Sequence, residues 1–135
     1  MQARSLWSFT AILTALSLAA AGSSRAQAAG PFKVDSSLAA WGKKIWNTKQ
    51  CFGCHQLGKA QSTGPDLIGV TDRRSADWLH NWLQDPVGMT TSDPVAADLK
   101  RQYKTQMPNL GLNAHDIDGL INYMAQETAN HGAKK

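Results

Sequence analysis

The chain has 135 residues, 42% of them hydrophobic and 18% charged, with only two cysteines. That balance describes one small domain with a modest core, and it excludes both a charged disordered tail and a disulfide-stapled miniature. The formal charge of +4 and the pI of about 9.3 overstate the basicity of the domain, because the amino-terminal segment holds two of the cations.

A secretory signal peptide is expected over residues 1–28, followed by one domain over residues 29–135. Arg4 supplies the positive n-region, Phe9 to Ala21 the apolar h-region, and Ala26-Gln27-Ala28 an A-x-A cleavage site. The apolar run falls short of the roughly 20 residues a membrane span requires. No cysteine stands at the cleavage site to carry a lipid anchor. Removing 28 of the 135 residues leaves 107, and losing Arg4 and Arg25 takes Lys+Arg from 14 to 12 against 10 acids, a formal +2. So small an excess argues against nucleic acid as a partner. The expected compartment is the periplasm, with no stable membrane span after cleavage.

Four helices are expected and no strand. Gly30-Pro31 leads in as extended chain. The first helix covers about Leu38 to Thr48, capped by Ser36 or Ser37, with Leu38, Trp41, Ile45 and Trp46 at helical spacing. Its end delivers the chain into Cys51-Phe52-Gly53-Cys54-His55. From Gln56 to Asp72 the sequence is rich in glycine and proline and reads as irregular. A second helix, Ser75 to Gln84, carries Trp78, Leu79, Trp82 and Leu83 and stops before Pro86. A third spans Pro94 to Lys104 with proline in its first turn. The last, Ala114 to Thr128, has Asn113 as N-cap, Asp116 in the capping-box position and the stripe Ile117, Leu120, Ile121, Met124. His131 to Lys135 reads as a frayed tail.

Two thiols three positions apart with an imidazole directly after them form the attachment signal for c-type haem. The thiols add across the porphyrin vinyl groups, and one turn of chain spaces them for it. The next residue, His55, is carried beneath the macrocycle as proximal ligand. Gly53 lets the backbone approach the porphyrin edge. Export strengthens the reading, since haem is attached to such motifs outside the cytoplasm. A covalent haem would also complete the core, because its burial at about 25 cal/mol per Å² outweighs several side chains. The tether restricts the unfolded chain as a cross-link does.

The sixth iron ligand has several candidates. Met124 lies in the stripe of the last helix and reads as core. His115 in a first helical turn and His131 in the tail read as solvated, and His80 as packed or surface. Met89 is expected in a loop, Gly88-Met89-Thr90. Met107, in the loop Gln106-Met107-Pro108-Asn109 with its backbone fixed by proline, is the favoured ligand. Soft thioether sulfur suits low-spin iron and raises its potential.

These residues resemble class I cytochrome c over the whole of residues 29–135. The resemblance rests on Gly42-Lys43-Lys44-Ile45-Trp46, the cysteine motif, Gly64-Pro65-Asp66-Leu67, Gly69-Val70, Arg73, Met107-Pro108 and Leu120 to Tyr123. It implies an all-α fold wrapped around one covalent haem. It further implies that the Pro65 carbonyl accepts the proton of His55, that Arg73 (with Arg74 as understudy) holds a haem propionate, and that Gly42 crosses the last helix against Tyr123. A narrower likeness between Gly64 and Tyr123 is to small cytochromes associated with nitrous-oxide reductase or with copper-delivery proteins for terminal oxidases.

The implied function is one-electron transfer with His55 and Met107 as axial ligands, in a monomer that catalyses no reaction of its own and meets unnamed redox proteins in small transient contacts. Lys44, Lys49, Lys59, Lys100, Arg101 and Lys104 are candidates for a basic rim that steers the encounter. Three rivals stand beside it. A haem domain with a departing sixth ligand would act as sensor or peroxidase. A thiol–disulfide oxidoreductase would need a βαβ pattern. A zinc site would need four closed ligands, which are not in sight.

Overall fold

The computed structural model describes residues 32–60 and 62–133. The expected signal peptide, its cleavage site and Gly30-Pro31 lie outside the described residues. The described chain is all-α: α1 (Ser36–Thr48), α2 (Val70–Arg73), α3 (Ala76–Gln84), α4 (Pro86–Ser92), α5 (Pro94–Tyr103) and α6 (Ala114–Gly132). Cys51–Gly53 forms a short 3-10 turn. Among the described residues extended pairing is limited to one isolated bridge, Gln56 with Asp66.

Caps fix the helix starts. Asp35, rather than Ser36 or Ser37, caps α1, its carboxylate accepting from the backbone N–H groups of Ser37 and Leu38. Ser75 caps α3, and Asp85 and Asp93 cap α4 and α5, each followed by proline in the first turn. Asn113 and Asp116 close a reciprocal capping box on α6, as expected. Two short helices escaped the sequence reading, α2 and α4. Met89 therefore sits in a helix and not in a loop. The last helix also runs past Thr128 to Gly132, so His131 lies in its final turn rather than in a frayed tail.

α6 is the axis of the fold. Its centre, Ile117 to Ala125, is buried nearly all round apart from Asp118, because α1 covers one face and α3 and α2 cover others. The α1–α6 contact is the most extensive in the molecule. Here Gly42 meets Gly119, not Tyr123 as the resemblance implied. A Cβ on Gly42 would fall onto the Gly119 carbonyl, and one on Gly119 would lie 3.0 Å from the Gly42 nitrogen. Tyr123 packs one turn further along, edge-on to Trp46 with ring centroids 5.9 Å apart. The polar groups this burial entails are satisfied. Asn122 accepts from Asp35 N at 2.8 Å and donates to Asp118 O, while Asp116 accepts from Trp41 Nε1 at 3.1 Å.

Candidate haem site

The cysteine motif is a single tight turn. Gln50, at a φ of 56°, swings the chain out of α1, and Cys51 O then accepts from Cys54 N at 3.2 Å and from His55 N at 2.9 Å. Cys51, Cys54 and His55 thereby come to line one cleft. The empty space within it, open mouth included, is about 1260 Å³. Apolar core residues, among them Trp46, Val70, Leu79, Leu83 and Leu120, form its walls. The core thus opens onto the cleft, and a large apolar plate tethered at Cys51 and Cys54 fits both its lining and its donor set.

His55 is held from behind. Its Nδ1 lies 3.0 Å from the Pro65 carbonyl oxygen, to which it donates, leaving Nε2 as the nitrogen for a metal. Burial pushes the imidazole below its ordinary pKa, against the opposing pull of the Pro65 hydrogen bond. The neutral, ligating form is therefore favoured. Gly64 makes this approach possible. A Cβ there would lie 2.6 Å from His55 Cε1, and Gly64 N donates to Cys54 O at 2.8 Å. Sequence reasoning assigned Gly64 no role of its own. The signal was its place directly before the proline whose carbonyl faces His55.

The segment after Pro65 is fastened on both sides. The Asp66 carboxylate accepts from the backbone N–H groups of Gly58, Lys59, Ala60 and Ile68 at 2.8–3.4 Å. Arg73 donates to Ile68 O at 2.7 Å and to Asp66 O at 3.4 Å, and it also lines the cleft. Arg74 lines the cleft too, donating to Arg73 O and lying 5.3 Å from the Trp78 ring.

Met107 and Met124 also line the cleft. Met89, His80, His115 and His131 are not among its lining residues. His115 is exposed and tilted against Trp41, and His131 abuts Gly58. Of the six cations considered for a basic rim, Lys100 borders the cleft, Lys49 donates to Leu110 O at 2.8 Å, Arg101 pairs with Asp98 and Lys44 lies over Trp41. Lys59 and Lys104 are exposed.

Burial pushes the Cys51 thiol up to about 11, opposite to the lowered values of redox-active dithiols. With the absence of a βαβ unit among the described residues, this disfavours thiol–disulfide exchange. No group of three or more His, Cys, Asp or Glu among the described residues is arranged to hold a metal ion by itself.

An all-α shell, a CxxCH turn and an apolar cleft behind it define a protein that holds one covalent haem c. The cytochrome c family model matches residues 39–128, and the chain belongs to that family. A cytochrome c from Rhodothermus marinus superposes with a TM-score of 0.68 at 32% identity, covering 73% of this chain and 83% of that one. The cytochrome c domain of a Pseudomonas putida protein gives 0.60 at 38% identity, covering 68% and 92%. A subunit of the nitric oxide reductase of Stutzerimonas stutzeri is 27% identical over 89 residues, 62% of this chain and 53% of that subunit. The chain spans about half the length of the curated relative it matches. That relative belongs to a nitric oxide reductase, a different enzyme from the nitrous-oxide reductase of the narrower likeness. Membership of the family makes the protein an electron carrier, and the spacing of Cys51 and Cys54 is that of one covalently bound haem c.

Proposed function

We propose that the protein is a periplasmic one-electron carrier whose haem iron takes His55 and Met107 as axial ligands, and that it shuttles electrons between respiratory redox partners. One observation carries the reading: His55, backed by Pro65 O at 3.0 Å, shares a single apolar cleft with both cysteines and Met107. The bound haem supplies the Fe(III)/Fe(II) couple. The chain supplies the rest. The Pro65 carbonyl holds the His55 proton on Nδ1, which fixes the ring and strengthens Nε2 as a donor. Met107 is favoured over Met89, whose helix leaves it outside the cleft lining. It is favoured over Met124, which also lines the cleft, because Met107 lies in a segment without helix and is followed by proline, whereas Met124 belongs to the buried stripe of α6. Arg73 uses two of its five N–H donors on backbone carbonyls, which leaves others for a propionate.

With His55 and Met107 both holding the iron, no position would be left for a substrate, which favours a carrier over a sensor or peroxidase. No helix among the described residues is long and apolar enough to cross a membrane. The likeness to a nitric oxide reductase subunit supports a respiratory setting. Exposed Phe52, between the two cysteines, and Lys100 beside the cleft suit a small, steered contact with an acidic partner.

The test is spectroscopic. Met107→Ala is expected to abolish the weak red sulfur-to-iron absorption and admit carbon monoxide. It should also lower the potential by roughly 0.1 V, about 2.3 kcal/mol at 59 mV per tenfold change. Met89→Ala and Met124→Ala should keep the red band. Loss of the band in either of these, with Met107→Ala retaining it, reassigns the ligand.

A further inference from the structure

Between α5 and α6 the chain from Thr105 to Asn113 has no helix of its own, so side chains must tie its backbone down. Two carboxamides flank Met107-Pro108 and do this. Gln106 Nε2 donates to Pro86 O at 3.3 Å and to Met107 O at 3.1 Å, while Gln106 Oε1 accepts from Thr90 Oγ1 at 3.2 Å. Asn109 Nδ2 donates to Gln84 O at 3.2 Å, and Asn109 Oδ1 accepts from Gly111 N at 2.9 Å. Both flanks of Met107 are therefore fastened to one place, the junction where α3 ends and α4 begins. That junction is firm. Pro86 is fully buried, and Asp85 ends α3 and caps α4 at once, accepting from Gly88 N at 2.9 Å.

We infer that Gln106 and Asn109 are positioning residues that hold the Met107 loop against the cleft, making the α3–α4 junction a clasp that decides whether a small ligand can reach the distal side. The inference rests on Met107 being the axial ligand. Burial at the loop's tip is partial, since Pro108 and Asn109 are exposed and Met107 is half-buried at the edge of the core. The hydrogen bonds at its two flanks are then a large part of what favours it. Removing one such bond shifts an open–closed equilibrium by about tenfold. Thr90 and Gln106 both line the cleft beside Met107, so the clasp and the ligand share one wall.

Holoprotein variants test it through two readouts, the ferric red band followed against helix content on heating, and carbon monoxide association in the ferrous state. In Gln106→Ala the band should vanish well before the helices melt, and carbon monoxide should bind about tenfold faster. Asn109→Ala should move both readouts the same way but less, its bond being exposed. Gln106→Glu keeps the size and the Thr90 acceptor but has no N–H donor, so it should behave like Gln106→Ala. It also carries the test should Gln106→Ala fail to load haem. Asp35→Ala, which removes the α1 cap, should lower band and helix melting together and leave carbon monoxide association unchanged. If the Gln106 and Asn109 variants behave as Asp35→Ala does, the clasp is only ordinary loop structure and the inference is overturned. A wild type without the red band that binds carbon monoxide freely would instead remove the Met107 reading itself.

Discussion

Where α1 crosses α6, two glycines meet and backbone packs on backbone; Gly42 and Gly119 contribute no side chain, and the atoms a Cβ on either would meet carry no charge. The loop from Gln56 to Arg73 is held in the opposite manner. Its shape depends on one carboxylate accepting from four backbone N–H groups and one guanidinium donating to two carbonyls. The first region excludes any added atom and is indifferent to protonation. The second depends on where charge sits. Fold stability is thus concentrated in a steric contact, and the backing of His55 in a polar one.

The crossing should give the largest effect when broken. Gly42→Ala forces a methyl onto the Gly119 carbonyl, and both partners are backbone in helix centres, so neither can move aside cheaply. A loss of about 3 kcal/mol or more is expected, the top of the overpacking range. That corresponds to a melting temperature lower by roughly 10–20 °C. Calorimetry should find the same loss at pH 5 and pH 7. A variant melting within a few degrees of wild type would show that the helices can separate at little cost.

Legibility in the sequence divides along the same line. The haem motif and four helices were readable because they rest on local signals: a fixed spacing, caps, and a stripe such as Ile117, Leu120, Ile121, Met124. α4 was not, since Pro-Val-Gly-Met-Thr-Thr-Ser contains mostly weak helix formers and is too short for a period. It forms because Asp85 and Pro86 start it and α5 packs on it. The resemblance marked Gly42 as the crossing glycine of α1, but its partner Gly119, far along the chain, has no local signal that singles it out. Asp66 belonged to a recognised motif, yet its four donors come partly from residues 58–60, which have no pattern of their own. The candidate cleft was legible as a list of residues, but not the means by which Gly64, Asp66 and Arg73 hold its proximal side.

A smaller effect is expected at the guanidinium. Arg73→Ala leaves the crossing intact but releases Ile68 O and Asp66 O, costing about 1.5 kcal/mol for charge-assisted bonds at an exposed site, or roughly 5–10 °C. Arg73→Lys should recover little, because a point charge on a flexible stem cannot span two carbonyls. If Arg73 also holds a propionate, the pH dependence of the midpoint potential will change in Arg73→Ala. A change seen only in Arg74→Ala would transfer that role to the neighbour.

Asp66→Asn should have the smallest effect, and it alone should depend on pH. Burial raises the Asp66 pKa, but the N–H groups of Ile68, Gly58, Ala60 and Lys59 together outweigh it and hold the carboxyl below its ordinary value. A carboxyl whose pKa is lower folded than unfolded stabilises the fold above the unfolded value, about 3.9, and loses that contribution as pH falls through the folded value. Asparagine keeps one acceptor oxygen and sets an amide against the remaining donors, so about 1 kcal/mol or less should be lost at pH 7. Below about pH 4 the difference should begin to shrink, and it should vanish once the pH has fallen through the lower folded value and wild-type Asp66 is protonated as well. Denaturant titrations at pH 7, 5 and 3.5 read this directly. A difference that persists undiminished at the lowest pH would mean that the loop is held by the shape of residue 66 and not by its charge, removing the contrast with the glycine crossing.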